Sequence, residues 1–244
     1  MKNNRPRRHI IIVTVAVVLL ALLCAGGIYV YRVVFPPIVH IDHEQFPITG
    51  IDISAHNGTI DFARVAADSV KFVYIKASEG ASFHDSAFET NYRGSTAAGM
   101  ATGAYHFFRF DVNGTLQAMN LLGCLKGKTL QLPLAIDVEE HGNPETSTMS
   151  VVTRLQEMID YIEEFGYPVI IYTNINGYHR FCKAYFENYP LWICRFAHPS
   201  DDIDWTIWQY SHWSEVDGIS GETDLNVFCS KQDDFNQWLG SYTF

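Results

Sequence analysis

Asp137 and Glu139 stand one residue apart at the end of an apolar run. Residues 134–141 read LAIDVEEH, so three acids fall within four positions where a buried strand should finish. Burying a lone carboxylate is costly, so acids at such a place either reach solvent at the strand end or are held there for chemistry. On a strand, residues two apart share a face with Cα atoms about 6.6 Å apart, so Asp137 and Glu139 should project together while Val138 packs the other way. Close carboxyls repel ionisation of one another, which drives one pKa upward and leaves a protonated acid beside an ionised partner. Glu139 is expected to titrate high and Asp137 to stay ionised. That division suits hydrolysis of a glycosidic bond, where one acid protonates the leaving oxygen and a second carboxylate supports an oxocarbenium-like transition state.

Two further acids follow the same logic, Asp52 in GIDIS and Asp224 in TDLN. In parallel α/β architectures functional groups gather at the C-terminal strand ends, so Asp52, Asp137, Glu139 and Asp224 could meet in one mouth. Tyr105, Tyr172, Trp192, Trp205, Trp208, Tyr210 and Trp213 fall at or near expected strand ends, where ring faces could stack on sugars. Any one of these rings would be equally at home in the core.

The elements that would position these groups alternate. Short apolar stretches at 50–54, 72–77, 102–108, 132–139 and 168–173 are separated by amphipathic segments, the pattern of βαβ units around a parallel sheet. One helix carries Val152, Leu155, Ile159 and Ile162 on one face and stops at Phe165 before Gly166 and Pro168. Another is expected to open at Asp85 as N-cap, to place Phe88, Tyr92 and Ala98 on one side, and to end at Gly99. After residue 190 the helices fade into three closely spaced strands. About five βα units followed by three strands predict an α/β fold, a modified TIM-like barrel.

The barrel is expected over 48–244. Ahead of it, 1–9 form a basic tail, and Ile10 to Val30 hold no charge over 21 residues. A helix of that length spans about 31 Å, enough to cross a bilayer, so 10–31 read as an uncleaved transmembrane anchor rather than a cleaved signal. The positive-inside rule puts the tail in the cytoplasm and everything after Arg32 outside, on a single-pass membrane protein. Residues 32–47, with Pro36 and Pro37, read as a stem.

Residues 36–244 carry 12 basic against 27 acidic residues, a formal charge of −15 with no basic stripe, which argues against a nucleic-acid partner. The exported cysteines, Cys124, Cys182, Cys194 and Cys229, show no C-x-x-C spacing. Their compartment would permit disulfides, but a domain of this size can fold without them.

Eight segments, GIDISAHNGTIDF, FVYIKASEG, AAGMATGAYHFF, LPLAIDVE, YPVIIYTN, PLWICRF, WTIWQYS and GISGETDLNVF, occur in the order and rough spacing of the glycoside hydrolase family 25 lysozymes, the cell-wall muramidases. The resemblance covers about residues 48–240. It implies cleavage of the β-1,4 bond between N-acetylmuramic acid and N-acetylglucosamine in peptidoglycan. Glu139 would be the general acid, with Asp137 orienting the substrate acetamido group and Asp52 and Asp224 completing an acidic floor. Tyr105, Tyr172, Trp192, Trp208, Gln209 and Asn226 are the candidate substrate contacts. No cofactor or metal is expected, and the partners implied are peptidoglycan glycan strands and, through 10–31, the membrane, with the protein a monomer. The chain departs from the family at Asn57, Ser78, Cys194 and Phe196, none of which is a catalytic acid.

Other readings remain at this stage. The four acids could hold a divalent cation, since hard cations prefer oxygen ligands. His106, inward after a Tyr, could be a base but is better read as hydrogen-bonded filler. Glu140 reads as a solvated loop acid, and His141, His198 and His212 as surface residues. A membrane-tethered glycan-binding module without turnover would keep the groove, although binding alone would not need four acids.

Overall fold

The computed structural model describes residues 14–15, 17–27, 29 and 39–241. The chain divides into two units, Met1–Ile38 and Val39–Phe244. In the first, 14–15, 17–27 and 29 are helical. The basic tail, parts of the expected anchor over 10–31 and residues 32–38 of the expected stem lie outside the described residues. Among the described residues no helix is long and apolar enough to cross a membrane.

The second unit is an α/β barrel. Its strands are β1 (Thr49–Ile53), β2 (Val70–Glu79), the two-residue β3 (Phe83–His84), β4 (Ala101–Phe107), β5 (Leu134–Asp137), β6 (Val169–Asn174), β7 (Leu191–Cys194), β8 (Ile207–Ser214) and β9 (Thr223–Phe228). Pairing runs β1-β9-β8-β7-β6-β5-β4-β2 and closes through β1–β2, so eight strands form the barrel and β3 lies outside it as a flap on β2. Every barrel pair is parallel except those of β9, which runs antiparallel to both β8 and β1. Helices α1 (Phe62–Ala67), α2 (Phe88–Ala97), α3 (Gly114–Cys124) and α4 (Thr148–Glu164) form the outer layer. The three-residue α5 (Ile175–Gly177) follows β6, and α6 (Gln232–Gly240) closes the chain.

Side-chain parity builds the interior in layers. The lowest holds Ile48, Phe72, Leu132 and Phe228. Above it lie Tyr74, Ala135, Ile170, Trp192 and Ile207, all in the same buried cluster. Gly50 and Gly103 leave the space that the Phe72 and Tyr74 rings occupy: a Cβ would come within 2.2 Å of Phe72 and 2.6 Å of Tyr74. The next inward positions form the top layer, and they are the polar ones, Asp52, Lys76, Tyr105, Asp137 and Gln209. The intervening residues, among them Ile51, Val73, Ile75, Ala104, Ile136 and Val138, pack outward against Val65, Leu121, Val151, Leu155 and Ile159 of the helices.

Several expectations change. Asp85 does not cap α2, whose N-cap is Ala87; its carboxylate instead accepts from the Ala87 and Ala55 amides and ties two loops together. Helix α6 is not foreshadowed by the fading of helices after residue 190. It plugs the barrel floor, with Phe235 lying 5.8 Å from Phe72 and 5.1 Å from Phe228 between ring centroids. The end of the expected stem belongs to the barrel unit, because Phe46 is buried against Trp205 and Trp208. All four cysteines of this unit are free thiols.

Candidate active site

The polar top layer opens into a cleft of about 520 Å³, lined by the four acids together with Tyr105, Tyr172, Trp192, Gln209 and others. Strand β5 is shorter than its sequence pattern and ends at Asp137, so Glu139 sits two residues past it. The chain stays extended there, with the Val138 amide donating to the Tyr172 carbonyl at 2.9 Å. Val138 packs outward, and Asp137 and Glu139 both face the cleft.

Two asparagines hold Glu139. Asn143 Nδ2 donates to the Glu139 and Phe108 carbonyls, 2.9 Å each, while its Oδ1 accepts from the Phe110 amide, which pins the loop after β5. Asn174 donates to Glu139 Oε1 at 3.2 Å and uses its own Oδ1 to cap the turn at Gly177. The next acid, Glu140, is ion-paired to Arg180 rather than solvated alone, and Arg180 also donates to the Thr146 carbonyl.

Asp52 is the hub of the opposite wall. Its Oδ1 accepts from Gln209 Nε2 at 2.9 Å and Asn226 Nδ2 at 2.7 Å. Gln209 Oε1 accepts from the Tyr172 hydroxyl at 2.8 Å, and Asn226 Oδ1 from Trp192 Nε1 at 2.8 Å. Every amide end therefore has one consistent role. Asp224 faces Asp52 directly across the β1–β9 ladder. Burial, then the Asp52 charge, push Asp224 up to about 9, so near neutral pH it is the protonated member and donates to Asp52.

Burial also raises Glu139, against the lowering effect of Asn174. Asp137 is driven well above the usual range, first by burial and then by Glu139, and its Oδ1 is buried without a hydrogen-bond partner. Glu139 is thus raised as expected, but the expectation that Asp137 stays readily ionised is corrected, because the deeper carboxyl is the more strongly desolvated. Lys76 opposes that shift, held at the same level of the barrel by Glu79 at 2.9 Å and by the Phe107 ring at 5.2 Å. Tyr105 and Tyr172 are raised well above 10 by burial and the surrounding acids, and so remain phenols that can donate.

The profile of Glycosyl hydrolases family 25 matches residues 51–219. The chain belongs to that family. Lysozyme M1 of Streptomyces globisporus is 31% identical over 202 residues, 74% of this chain and 67% of that protein. The autolytic lysozyme of Clostridium acetobutylicum is 34% identical over 181 residues, 73% and 55% of the two chains. The solved structure of a family 25 glycosyl hydrolase from Bacillus anthracis superposes with a TM-score of 0.76 at 32% identity, covering 82% of this chain and 96% of that one. Like the rest of family 25, the chain is a glycoside hydrolase.

Within this cleft, Asp52, Tyr105, Asp137, Glu139, Tyr172, Trp192, Gln209 and Asp224 come together as expected from the sequence. Two candidate contacts do not. Trp208 has the wrong parity: with Gln209 inward it points outward, fully buried among Phe46, Ile193 and Val227, and donates to the Arg195 carbonyl at 2.7 Å. Asn226 is fully buried beneath the cleft and acts through Asp52 and Trp192. Trp205 and Tyr210 pack with Trp208 in the same outer cluster. His106 also points outward, bonded to Ser78 Oγ at 2.8 Å and Gln117 Oε1 at 3.2 Å, and burial lowers it to about 4, so it is neutral filler and not a base. Sequence reasoning missed Asn174, Cys194 and Phe196 as lining residues, and read His141 and His212, which also line the cleft, as surface groups. Asn174 and Cys194 end their strands, and that position was the available signal. Among the described residues, no three His, Cys, Asp or Glu side chains are grouped to hold a metal ion.

Proposed function

We propose that this glycoside hydrolase is a lysozyme of the N-acetylmuramidase type, cleaving the β-1,4 bond between N-acetylmuramic acid and N-acetylglucosamine in peptidoglycan. The observation that carries this reading is the pair at the end of β5, where Glu139 sits at the cleft and Asp137 presents a buried Oδ1 without a partner. The names of two of its relatives, an autolytic lysozyme and lysozyme M1, support it.

Glu139 gives its proton to the glycosidic oxygen as the bond to the anomeric carbon breaks. The N–H of the substrate's 2-acetamido group fits Asp137 Oδ1, and a donor there would stabilise the charged carboxylate and lower its pKa. Substrate would in this way leave Asp137 ionised and the proton on Glu139. The acetamido carbonyl oxygen then attacks the anomeric carbon while Asp137 supports the charge developing on nitrogen. Water activated by the now ionised Glu139 opens the ring so formed and returns the proton. Tyr105 and Trp192 line the reacting sugar, with Asp52 and Asp224 as the acidic floor. The uncharged N-terminal segment over 10–31 would tether the enzyme to the membrane, tail inside and barrel outside, where peptidoglycan lies.

The test is release of soluble muropeptides from purified peptidoglycan by wild type and Glu139→Gln. The amide keeps the shape and loses the transferable proton, so turnover should fall by at least about 10² with the fold unchanged by circular dichroism. Near-normal release by folded Glu139→Gln would overturn the assignment, and no release by wild type would favour the binding module.

A further inference from the structure

One aromatic group at the rim is left over by this chemistry. The β8–β9 ladder shifts register between Gln209 and Ser211 and again between Ser211 and Ser214. On a regular strand successive side chains take opposite faces. Here the consecutive residues His212 and Trp213 both reach Phe196, with ring centroids 4.3 and 5.5 Å from it. Such breaks re-aim side chains next to active sites. Ser211 Oγ secures this one by accepting from the Trp213 amide at 3.3 Å and from Ser214 Oγ at 2.9 Å.

Phe196 and His212 line the cleft, and Trp213, 43% exposed, carries their surface beyond it into solvent. An indole held against two other rings is already ordered, so a ligand that stacks on it does so at little further entropic cost. Burial lowers the His212 pKa, which keeps that ring uncharged and suited to an uncharged partner. The surface is continuous with the cleft, so its natural occupant is another sugar of the same strand.

We propose that Phe196, His212 and Trp213 form a stacking subsite for a pyranose of the glycan strand lying outside the two sugars at the reacting bond. This rests on the glycan-cleaving reading above, and it makes the enzyme prefer long strands to short ones.

The test is cleavage of purified peptidoglycan glycan fragments of four and of eight sugars by the full chain and by Trp213→Ala and Trp213→Phe. The ratio of kcat/KM for the long fragment to that for the short one should fall by about fivefold to tenfold in Trp213→Ala, and Trp213→Phe should recover most of it. An unchanged ratio in Trp213→Ala, with both fragments cleaved, overturns the subsite and leaves the muramidase reading standing. Failure of the wild type to cleave either fragment overturns the muramidase reading and the subsite with it.

Discussion

Asp52 and Asp224 oppose each other in register across β1 and β9 and share one proton, held on Asp224, while burial raises Asp52 and the Asn226 and Gln209 amides work against that rise. The pair thus presents a single negative charge to the cleft floor. It also couples the fold to pH. The folded pKa of Asp224, about 9, lies above the unfolded value of about 3.9. Its contribution to stability is therefore fully present below about pH 4 and is lost as pH rises toward 9. Asp224→Asn cannot ionise yet keeps an N–H to give Asp52. The difference in Tm between Asp224→Asn and wild type should grow in favour of the variant as pH rises from 5 to 9. A constant difference over that range would refute the shared proton.

Lys76 offers a second pH test, on activity rather than stability. Its charge draws Asp137 downward, against burial and Glu139. Turnover needs one proton on the Asp137–Glu139 pair, so kcat/KM should be bell-shaped, with both limbs above ordinary carboxylate values. Lys76→Met removes the opposing cation and should move the whole bell to higher pH. A change that merely loosens the barrel mouth would lower the height of the bell without moving its limbs.

Much of this was legible in the sequence because parity and periodicity carry it. LAIDVEEH announced two acids on one face, and the alternation of strands and helices announced the barrel. What escaped has physical reasons. Nearness to a strand end does not say whether a ring points in or out, and Trp208 was misread for that reason, although an inward Gln209 requires an outward Trp208. Helix α6, QDDFNQWLG, has only Phe235, Trp238 and Leu239 to mark its face, too few for a periodic signal, and its stability comes from the barrel floor that it plugs. The proline-marked stem hid Phe46, which follows the polar run DHEQ. The raised pKa of Asp137 depends on the depth of β5 in the folded barrel, which no spacing reveals.

Phe46 gives the third prediction. It is 7% exposed and its ring lies 5.6 Å from Trp205 and 6.4 Å from Trp208. Phe46→Ala should cost about 3 kcal/mol, the low end for a buried Phe, since it sits at the edge of the cluster. A version of the chain starting at Val39 keeps this contact and should fold and cleave. One starting at Ile48 loses it and uncovers Trp208. Equal urea midpoints for the two would show that the segment before β1 contributes nothing.

The last prediction concerns the stereochemistry of cleavage. Inverting enzymes separate their two carboxyls by about 6.5–9.5 Å to admit a water, while a close pair favours a two-step course through an internal nucleophile. Asp137 and Glu139 are two residues apart, and Asp137 lies at the cleft floor with a buried Oδ1 lacking a donor. A carboxyl so buried is poorly placed to deprotonate a free water, whereas an acetamido N–H would satisfy its missing hydrogen bond. The attacking group is then the substrate's own carbonyl oxygen, no covalent sugar forms on the protein, and two inversions leave the anomeric configuration retained. NMR of the first-formed anomer from a muropeptide substrate should show the β product. Asp137→Asn, which cannot carry charge to support the acetamido nitrogen, should lower kcat by about 10² or more while Glu139 keeps its proton. An α product in that spectrum would eliminate substrate assistance, make Asp137 the base that activates water, and leave Glu139 as the acid.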